Sequence, residues 1–187
     1  MGNIHLLPTV AGWVGTAWSE RGLVALTFPR PHREGALAAL RDESGCGANC
    51  RGGSAAEEWL SVLEERLNRY FRGQRVSFTD IPVDFSLYRP FTARVLEIVR
   101  RIGYGQLWSY RQVAEAAGYP GAARAAGGAV RANRVPLVIP CHRVICSDGS
   151  PGGFGGGLPL KQWLLELEGV RPGPAGRYQL TNGPVMR

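Results

Sequence analysis

Two short runs rich in Val, Trp, Leu and Phe, Val10 to Trp18 and Leu23 to Phe28, stand on either side of the polar break Ser19-Glu20-Arg21-Gly22. Runs of this length around a Gly-containing turn predict a β-hairpin. A mixed region, Pro29 to Gly53, follows and ends in the Gly-rich run Gly45-Cys46-Gly47-Ala48-Asn49-Cys50-Arg51-Gly52-Gly53. Ser54 with Glu57 three residues on forms a capping box, and Trp59, Leu60, Leu63, Leu67 and Phe71 recur at helical spacing before Gly73. Val76 to Val83 reads as a further strand, and Pro82 to Pro90 as a connector. Beyond it the period turns helical. Phe91, Val95, Ile98, Val99 and Ile102 share one face, with Pro90 before them and Gly103 after. Ser109 with Gln112 caps a second helix that stops at Gly118, and a third runs from Ala122 to about Ala132 after the turn Gly118-Tyr119-Pro120-Gly121. Two short helices joined this way predict a helix-turn-helix. The expected fold is α+β: a small α/β domain over residues 1–84 with a hairpin or sheet, then a mainly helical, winged-helix-like domain over 85–187.

Composition narrows the classes. The chain has 187 residues and 20.3 kDa, enough for one large domain or two small ones. No apolar run nears the roughly 20 residues that cross a bilayer, and Met1 to Pro8 does not read as a signal peptide. A cytoplasmic protein with no membrane partner is expected. The four Cys have no regular framework, which argues against a disulfide scaffold. Charge is segregated. Residues 1–84 carry 9 Arg against 10 Asp and Glu, whereas residues 85–187 carry 13 Lys and Arg against 5 Asp and Glu. A basic excess confined to the half with the helix-turn-helix points to nucleic acid. The third helix, Ala122-Ala123-Arg124-Ala125-Ala126-Gly127-Gly128-Ala129-Val130-Arg131, is almost all small residues. Such a surface suits close approach to a narrow groove, or tight packing inside the domain.

The most informative stretch is Ile139-Pro140-Cys141-His142-Arg143-Val144. A thiol attacks as thiolate, and a neighbouring imidazole or guanidinium favours that form. Taken alone, Cys141 is either such a nucleophile or a buried structural cysteine.

Pro140-Cys141-His142-Arg143-Val144, preceded by Asn133-Arg134-Val135-Pro136, resembles the active-site signature of the 6-O-alkylguanine-DNA alkyltransferases, or methylated-DNA–protein-cysteine methyltransferases. Gly105 to Tyr110, Ala122-Ala123-Arg124-Ala125, Gly127-Gly128, Gly156-Gly157-Leu158, Lys161, Trp163-Leu164-Leu165-Glu166 and Glu168-Gly169 fit the same pattern in order. The resemblance covers roughly residues 86–170.

That resemblance implies a single-turnover repair reaction, in which an alkyl group passes from a flipped-out guanine to the protein's own cysteine and stays there. By position, Cys141 is the acceptor, His142 the base acting through a water, and Glu168 the carboxylate that orients it. Tyr110 serves the leaving guanine as proton or hydrogen-bond donor. Asn133 links the recognition helix to the active-site turn, and Arg124 replaces the flipped nucleotide in the stack. Ala123, Ala125, Gly127, Gly128 and Arg131 are the accompanying DNA-binding positions, and Pro136, Val144, Phe154, Gly155 and Gly156 the pocket. The implied partner is double-stranded DNA carrying alkylated guanine, met at the minor groove by a monomer, with cooperative assembly left open. No cofactor and no metal are expected. His5, His32, Cys46 and Cys50 are the only candidates for a structural metal, and their spacing favours free thiols; Cys146 reads as a packing residue. Phe154 and Gly155 stand where many members of the family have Tyr and Ser or Ala, which implies room for alkyl groups larger than methyl. The other classes in view are a binding-only homologue, which would lack the cysteine, and a helix-turn-helix regulator, which would need a further sensor domain.

Overall fold

The structure, a computed structural model, describes residues 3–44 and 55–183 and resolves into two compact units, residues 1–87 with 134–138, and 88–133 with 139–187. Ser54, the Glu57 side chain and the loop with Cys46 and Cys50 lie outside the described residues.

The first unit is built on a three-stranded antiparallel sheet, β1 (Asn3–Thr9), β2 (Gly12–Ser19) and β3 (Gly22–Leu26), in the order β1-β2-β3. The expected hairpin is β2 and β3. Val14 to Trp18 and all of β3 are buried, so both strands carry near-continuous apolar runs. Strand β1 has no counterpart among the expected elements. It is an edge strand that contains Pro8, which a central strand would not tolerate. Helices α1 (Arg33–Ser44) and α2 (Ala55–Phe71) pack against this sheet. Helix α2 follows its apolar spacing, burying Leu63, Leu67, Tyr70 and Phe71. Helix α1 lay hidden in the mixed region because only Ala36 and Leu40 of its described side chains are fully buried, a stripe too thin to show as a period. Leu40 closes a small core with Ala17, Val24 and Ala25.

The strand expected over 76–83 is not formed. Phe78 turns the chain by accepting from Ile81 N at 3.2 Å, Ser77 Oγ takes Thr79 N at 3.3 Å, and Pro82 has no N–H for a ladder. What survives is one parallel bridge, Leu23 to Val83, held by Leu23 N to Pro82 O at 2.8 Å and Asp84 N to Leu23 O at 3.0 Å. Segment 134–138 belongs to this first unit through Leu26 N to Arg134 O at 2.9 Å.

The second unit carries α3 (Pro90–Arg100), β4 (Trp108–Ser109), α4 (Tyr110–Ala116), α5 (Ala123–Arg131), β5 (Val144–Ile145) and α6 (Leu158–Leu167). Helix α3 starts on Pro90 and buries Val95, Leu96, Ile98 and Val99. Helices α4 and α5 pack on each other and on α3, making the helix-turn-helix, and the short strands β4 and β5 pair in parallel beside them. Helix α5 packs on one side and is open on the other. Ala126, Ala129 and Val130 face inward, while Arg124, Ala125, Gly128 and Arg131 are exposed.

The hairpin turn depends on Gly22, at φ +142°, where a Cβ would lie 2.6 Å from the Pro82 carbonyl. Gly22→Ala combines a disfavoured φ with a backbone clash. It is expected to destabilise the chain by about 2–3 kcal/mol in urea denaturation with an unchanged m-value.

Candidate active site

The chemistry-bearing residues of the second unit come from four local structures. The first is the start of α4. Ser109 Oγ accepts from Gln112 N at 3.1 Å while Gln112 Oε1 accepts from Ser109 N at 2.7 Å, so the expected capping box is complete. This fixes Tyr110 at the first helical position, half-buried, with two of its ring carbons 3.8 Å from where a Cβ on Gly127 would stand. The phenol donates only a long bond, 3.5 Å, to Gly153 O, which leaves the hydroxyl loosely held. Burial raises its pKa, and the nearby Cys146 and Cys141 sulfurs push the same way.

The second is a single 3-10 turn, Cys141–Arg143, entered after Pro140. Cys141 is 9% exposed, and its amide donates to Ile139 O at 2.8 Å. Asn133 Nδ2 donates to the same Ile139 carbonyl at 2.9 Å, tying the residues just past α5 to the turn, and the Asn133 side chain also hydrogen-bonds the cysteine. Burial pushes the Cys141 thiol up, partly offset by Asn133, by the Lys161 charge and by the backbone amides of Cys141 and His142. At neutral pH the resting group is therefore a thiol, which needs a base.

The third is the carboxylate that receives the turn's other two side chains. His142 Nε2 lies 2.7 Å from Glu168 Oε1, with both side chains almost fully buried. Arg143 sends Nε to Oε2 at 2.9 Å and Nη2 to Oε1 at 2.8 Å, a bidentate pair, and Nη1 to Ile102 O at 2.6 Å. Gly105 N adds a further donor to Oε2 at 2.9 Å. Burial alone would raise the Glu168 pKa, but the bonds from His142 and the bonds and charge of Arg143 outweigh it, and it falls well below the usual carboxylate range. For His142 burial dominates and lowers the pKa, against the opposing pull of Glu168. The imidazole is thus neutral at pH 7. Its Nε2–H donates to the carboxylate, which puts the basic lone pair on Nδ1.

The fourth is Lys161 on α6, fully buried. Its ammonium donates to Val144 O and Pro151 O, both at 2.6 Å, and lies 5.7 Å from the centre of the Phe154 ring. Burial brings its pKa down to about 8, with the Cys141 and Cys146 sulfurs acting the other way.

Cys141, His142, Glu168, Tyr110 and Asn133 therefore all belong to the second unit. Arg124, Ala125, Gly128 and Arg131 form the exposed side of α5, with Ala123 and Gly127 half-buried. Val144 is buried, Phe154 is half-buried, and Gly155 and Gly156 are exposed; a Cβ at Gly155 would meet nothing within 4 Å. Pro136 is buried in segment 134–138 of the first unit. His5 is half-buried and His32 exposed, and no group of three metal-ligating side chains occurs among the described residues. Cys146 is a half-buried free thiol. Two members of the site were not singled out from the sequence. For Arg143 the sequence offers only a positive charge beside the cysteine, not its carboxylate partner. Lys161 is the only lysine of the chain, set among the apolar residues of α6, and that isolation was its signal.

Residues 90–170 match the family model described as the DNA-binding domain of 6-O-methylguanine DNA methyltransferase. A methylated-DNA–protein-cysteine methyltransferase of Methanothermobacter thermautotrophicus is 36% identical over 157 residues, 84% of this chain and 80% of that protein. The human protein of the same name is 46% identical over 117 residues, 59% of this chain; the match spans little more than half of the human protein, 56%. Among solved structures, Mycobacterium tuberculosis OGT in complex with DNA aligns with a TM-score of 0.62 at 30% identity, covering 88% of this chain and 91% of that one.

The depressed pKa values of His142 and Glu168 make folding acid-sensitive in two steps. Above about pH 6.5 the imidazole is neutral in both folded and unfolded chains; below it the unfolded chain takes up a proton that the folded one refuses, and stability falls. A second loss begins below about pH 4.3, where the unfolded carboxyl protonates first. Glu168→Gln is expected to cost about 3–5 kcal/mol at pH 7, because Arg143 is left buried without its counter-charge, and to shrink the lower step, which Asp84 and Asp148 share. Urea denaturation repeated from about pH 2 to pH 8 checks both.

Proposed function

The chain belongs to the methylated-DNA–protein-cysteine methyltransferase family, and from that membership we propose that it repairs 6-O-alkylguanine in double-stranded DNA by moving the alkyl group irreversibly onto Cys141. The observation that carries the reading is the neutral His142, held at 2.7 Å by a carboxylate that Arg143 keeps ionised, next in the chain to a buried thiol. The exposed small-residue side of α5 enters the minor groove with Ala125 and Gly128, flanked by Ala123 and Gly127. Arg124 occupies the space left by the flipped nucleotide, and Arg131 neutralises phosphate.

In the reaction Nδ1 of His142 takes the Cys141 proton through a water, and Glu168 holds the ring in the required tautomer. The sulfur attacks the alkyl carbon, the S–C bond forms, and the C–O bond breaks with its electron pair left on the guanine oxygen. Tyr110 gives that guanine a proton, so a neutral base leaves, and the phenol is restored by the proton first taken from Cys141. Asn133 steadies the thiolate by hydrogen bonding, and Lys161 supplies positive charge nearby while holding the backbone of β5 and of the Pro151 loop. Val144, Phe154, Gly155 and Gly156 line the base pocket. The product is a thioether with no leaving group the protein can activate, so each molecule acts once. One molecule acts on one lesion as a monomer, and no cofactor takes part.

Incubation with duplex DNA containing 6-O-methylguanine is expected to add one methyl group to the Cys141 peptide, seen by mass spectrometry, and none to Cys141→Ser. An unmodified wild-type peptide after full incubation would refute the reading. The open position at Gly155 further predicts that 6-O-benzylguanine reacts within about tenfold of the methyl substrate, a ratio that single-turnover kinetics measures directly.

A further inference from the structure

The segment after the family-matched region, residues 171–183, is bound on both sides of Tyr110. On one side Thr181 pairs with the strand that leads into α4. Thr181 N donates to Leu107 O at 2.8 Å, Thr181 Oγ1 accepts from Leu107 N at 3.1 Å and donates to Leu107 O at 2.8 Å. Gln112 then reaches across. Its Oε1 closes the capping box on Ser109, and its Nε2 donates to Thr181 O at 3.1 Å. One amide side chain thus ties the tail to the turn of helix that begins with Tyr110.

On the other side the tail grips the loop facing the phenol. Tyr178 N donates to Gly149 O at 2.8 Å, so close an approach that a Cβ on Gly149 would lie 2.6 Å from Tyr178 O. Arg177 pairs with Asp148 at 3.0 Å, and the Tyr178 ring is buried with Leu107, Ile145 and Leu165. Three residues after Gly149, a Cβ at Gly152 would stand 3.3 Å from the Tyr110 hydroxyl, and Gly153 offers the carbonyl to which that hydroxyl loosely donates. Tyr110 therefore sits between two segments, and the same thirteen-residue stretch, 171–183, fastens each of them.

We propose that segment 171–183 is a clamp that sets the position of the Tyr110 phenol against the alkylated base, with Gln112 and Thr181 as its positioning residues. The proposal rests on the reading of Tyr110 as the donor to the leaving guanine. A hydroxyl whose own bond is 3.5 Å long has little of its own to fix it, so its aim depends on the two walls. Misaiming a proton donor slows the step that uses the proton while leaving the nucleophile intact.

Gln112→Glu separates these effects. A Glu at this position still accepts from Ser109 N and preserves the capping box, but it has no N–H for the Thr181 carbonyl. Thr181→Val removes the hydroxyl from the other end without adding charge, and Thr181→Ser restores it. Single-turnover transfer from saturating 6-O-methylguanine duplex is expected to slow about tenfold in Gln112→Glu and in Thr181→Val, and to recover in Thr181→Ser. The rate at which iodoacetamide alkylates Cys141, which needs no proton on a leaving base, should stay within about twofold of wild type in all three. Gln112 and the Thr181 hydroxyl make separate bonds, to Thr181 O and to Leu107, so combining Gln112→Glu with Thr181→Val should slow transfer at least as far as either alone. Transfer at the wild-type rate in Gln112→Glu, or an equal fall in transfer and iodoacetamide rates, overturns the clamp. Tyr110→Phe is the control: if it does not slow transfer, the reading of Tyr110 itself fails, whereas slowing in Tyr110→Phe without slowing in Gln112→Glu defeats the clamp alone. Should Thr181→Val not fold, Gln112→Glu decides the matter.

Discussion

A carboxylate enclosed in protein is tolerated only when donors replace the water it has lost, and Glu168 is the group around which the second unit is organised on that principle. It stands at the C-terminal end of α6, where the helix dipole disfavours negative charge. Its oxygens are met by the His142 ring, by two nitrogens of Arg143 and by the Gly105 amide. These donors come from the Cys141 turn and from the loop between α3 and β4. The same carboxylate thus closes the fold of three segments and chooses the imidazole tautomer. Arg143 matters as much as the histidine, because without a guanidinium of its geometry the carboxyl would sooner protonate than stay charged in such surroundings.

The nucleophile is kept in an opposite condition. Desolvation makes the Cys141 thiolate expensive, and the compensating groups, the Asn133 amide and the Lys161 ammonium, are arranged nearby without cancelling that cost. A permanently ionised thiol would react with any electrophile that reached it. A protonated one next to a neutral base can remain inert until a substrate excludes water and makes proton removal worthwhile. In the reaction proposed above, which would consume the molecule in one event, restraint in the resting state conserves it.

What could be read from the chain followed the range of the interactions concerned. The hairpin, α2, α3, the capping box at Ser109 and the small-residue helix were legible because each is specified by neighbours within a turn or two. Strand β1 was not, since an edge position excused its Pro8, and α1 was not, since two buried side chains leave no stripe. The apolar alternation of 76–83 suggested a strand, but Ser77 took a neighbouring amide and Pro82 had no N–H to give a ladder. Within the site, the signature around Cys141 marked the turn, and the resemblance placed Glu168 and Tyr110. It was silent on Arg143 as the partner of a residue 25 positions away and on Thr181 as the partner of one 69 positions away. Pairings of that separation are decided by topology, which no local pattern encodes.

The burial of Lys161 has a chemical corollary for the surface. The chain has one lysine and it is fully enclosed, so every side-chain cation displayed to solvent is a guanidinium. Guanidinium does not lose its proton in any aqueous range a protein survives, and it is not a substrate for acylation or aldehyde condensation as an amine is. The positive surface that would meet DNA phosphates is therefore constant in charge up to strongly alkaline pH. Reagents that couple proteins to nucleic acid or to supports through lysine amines would find none there to use.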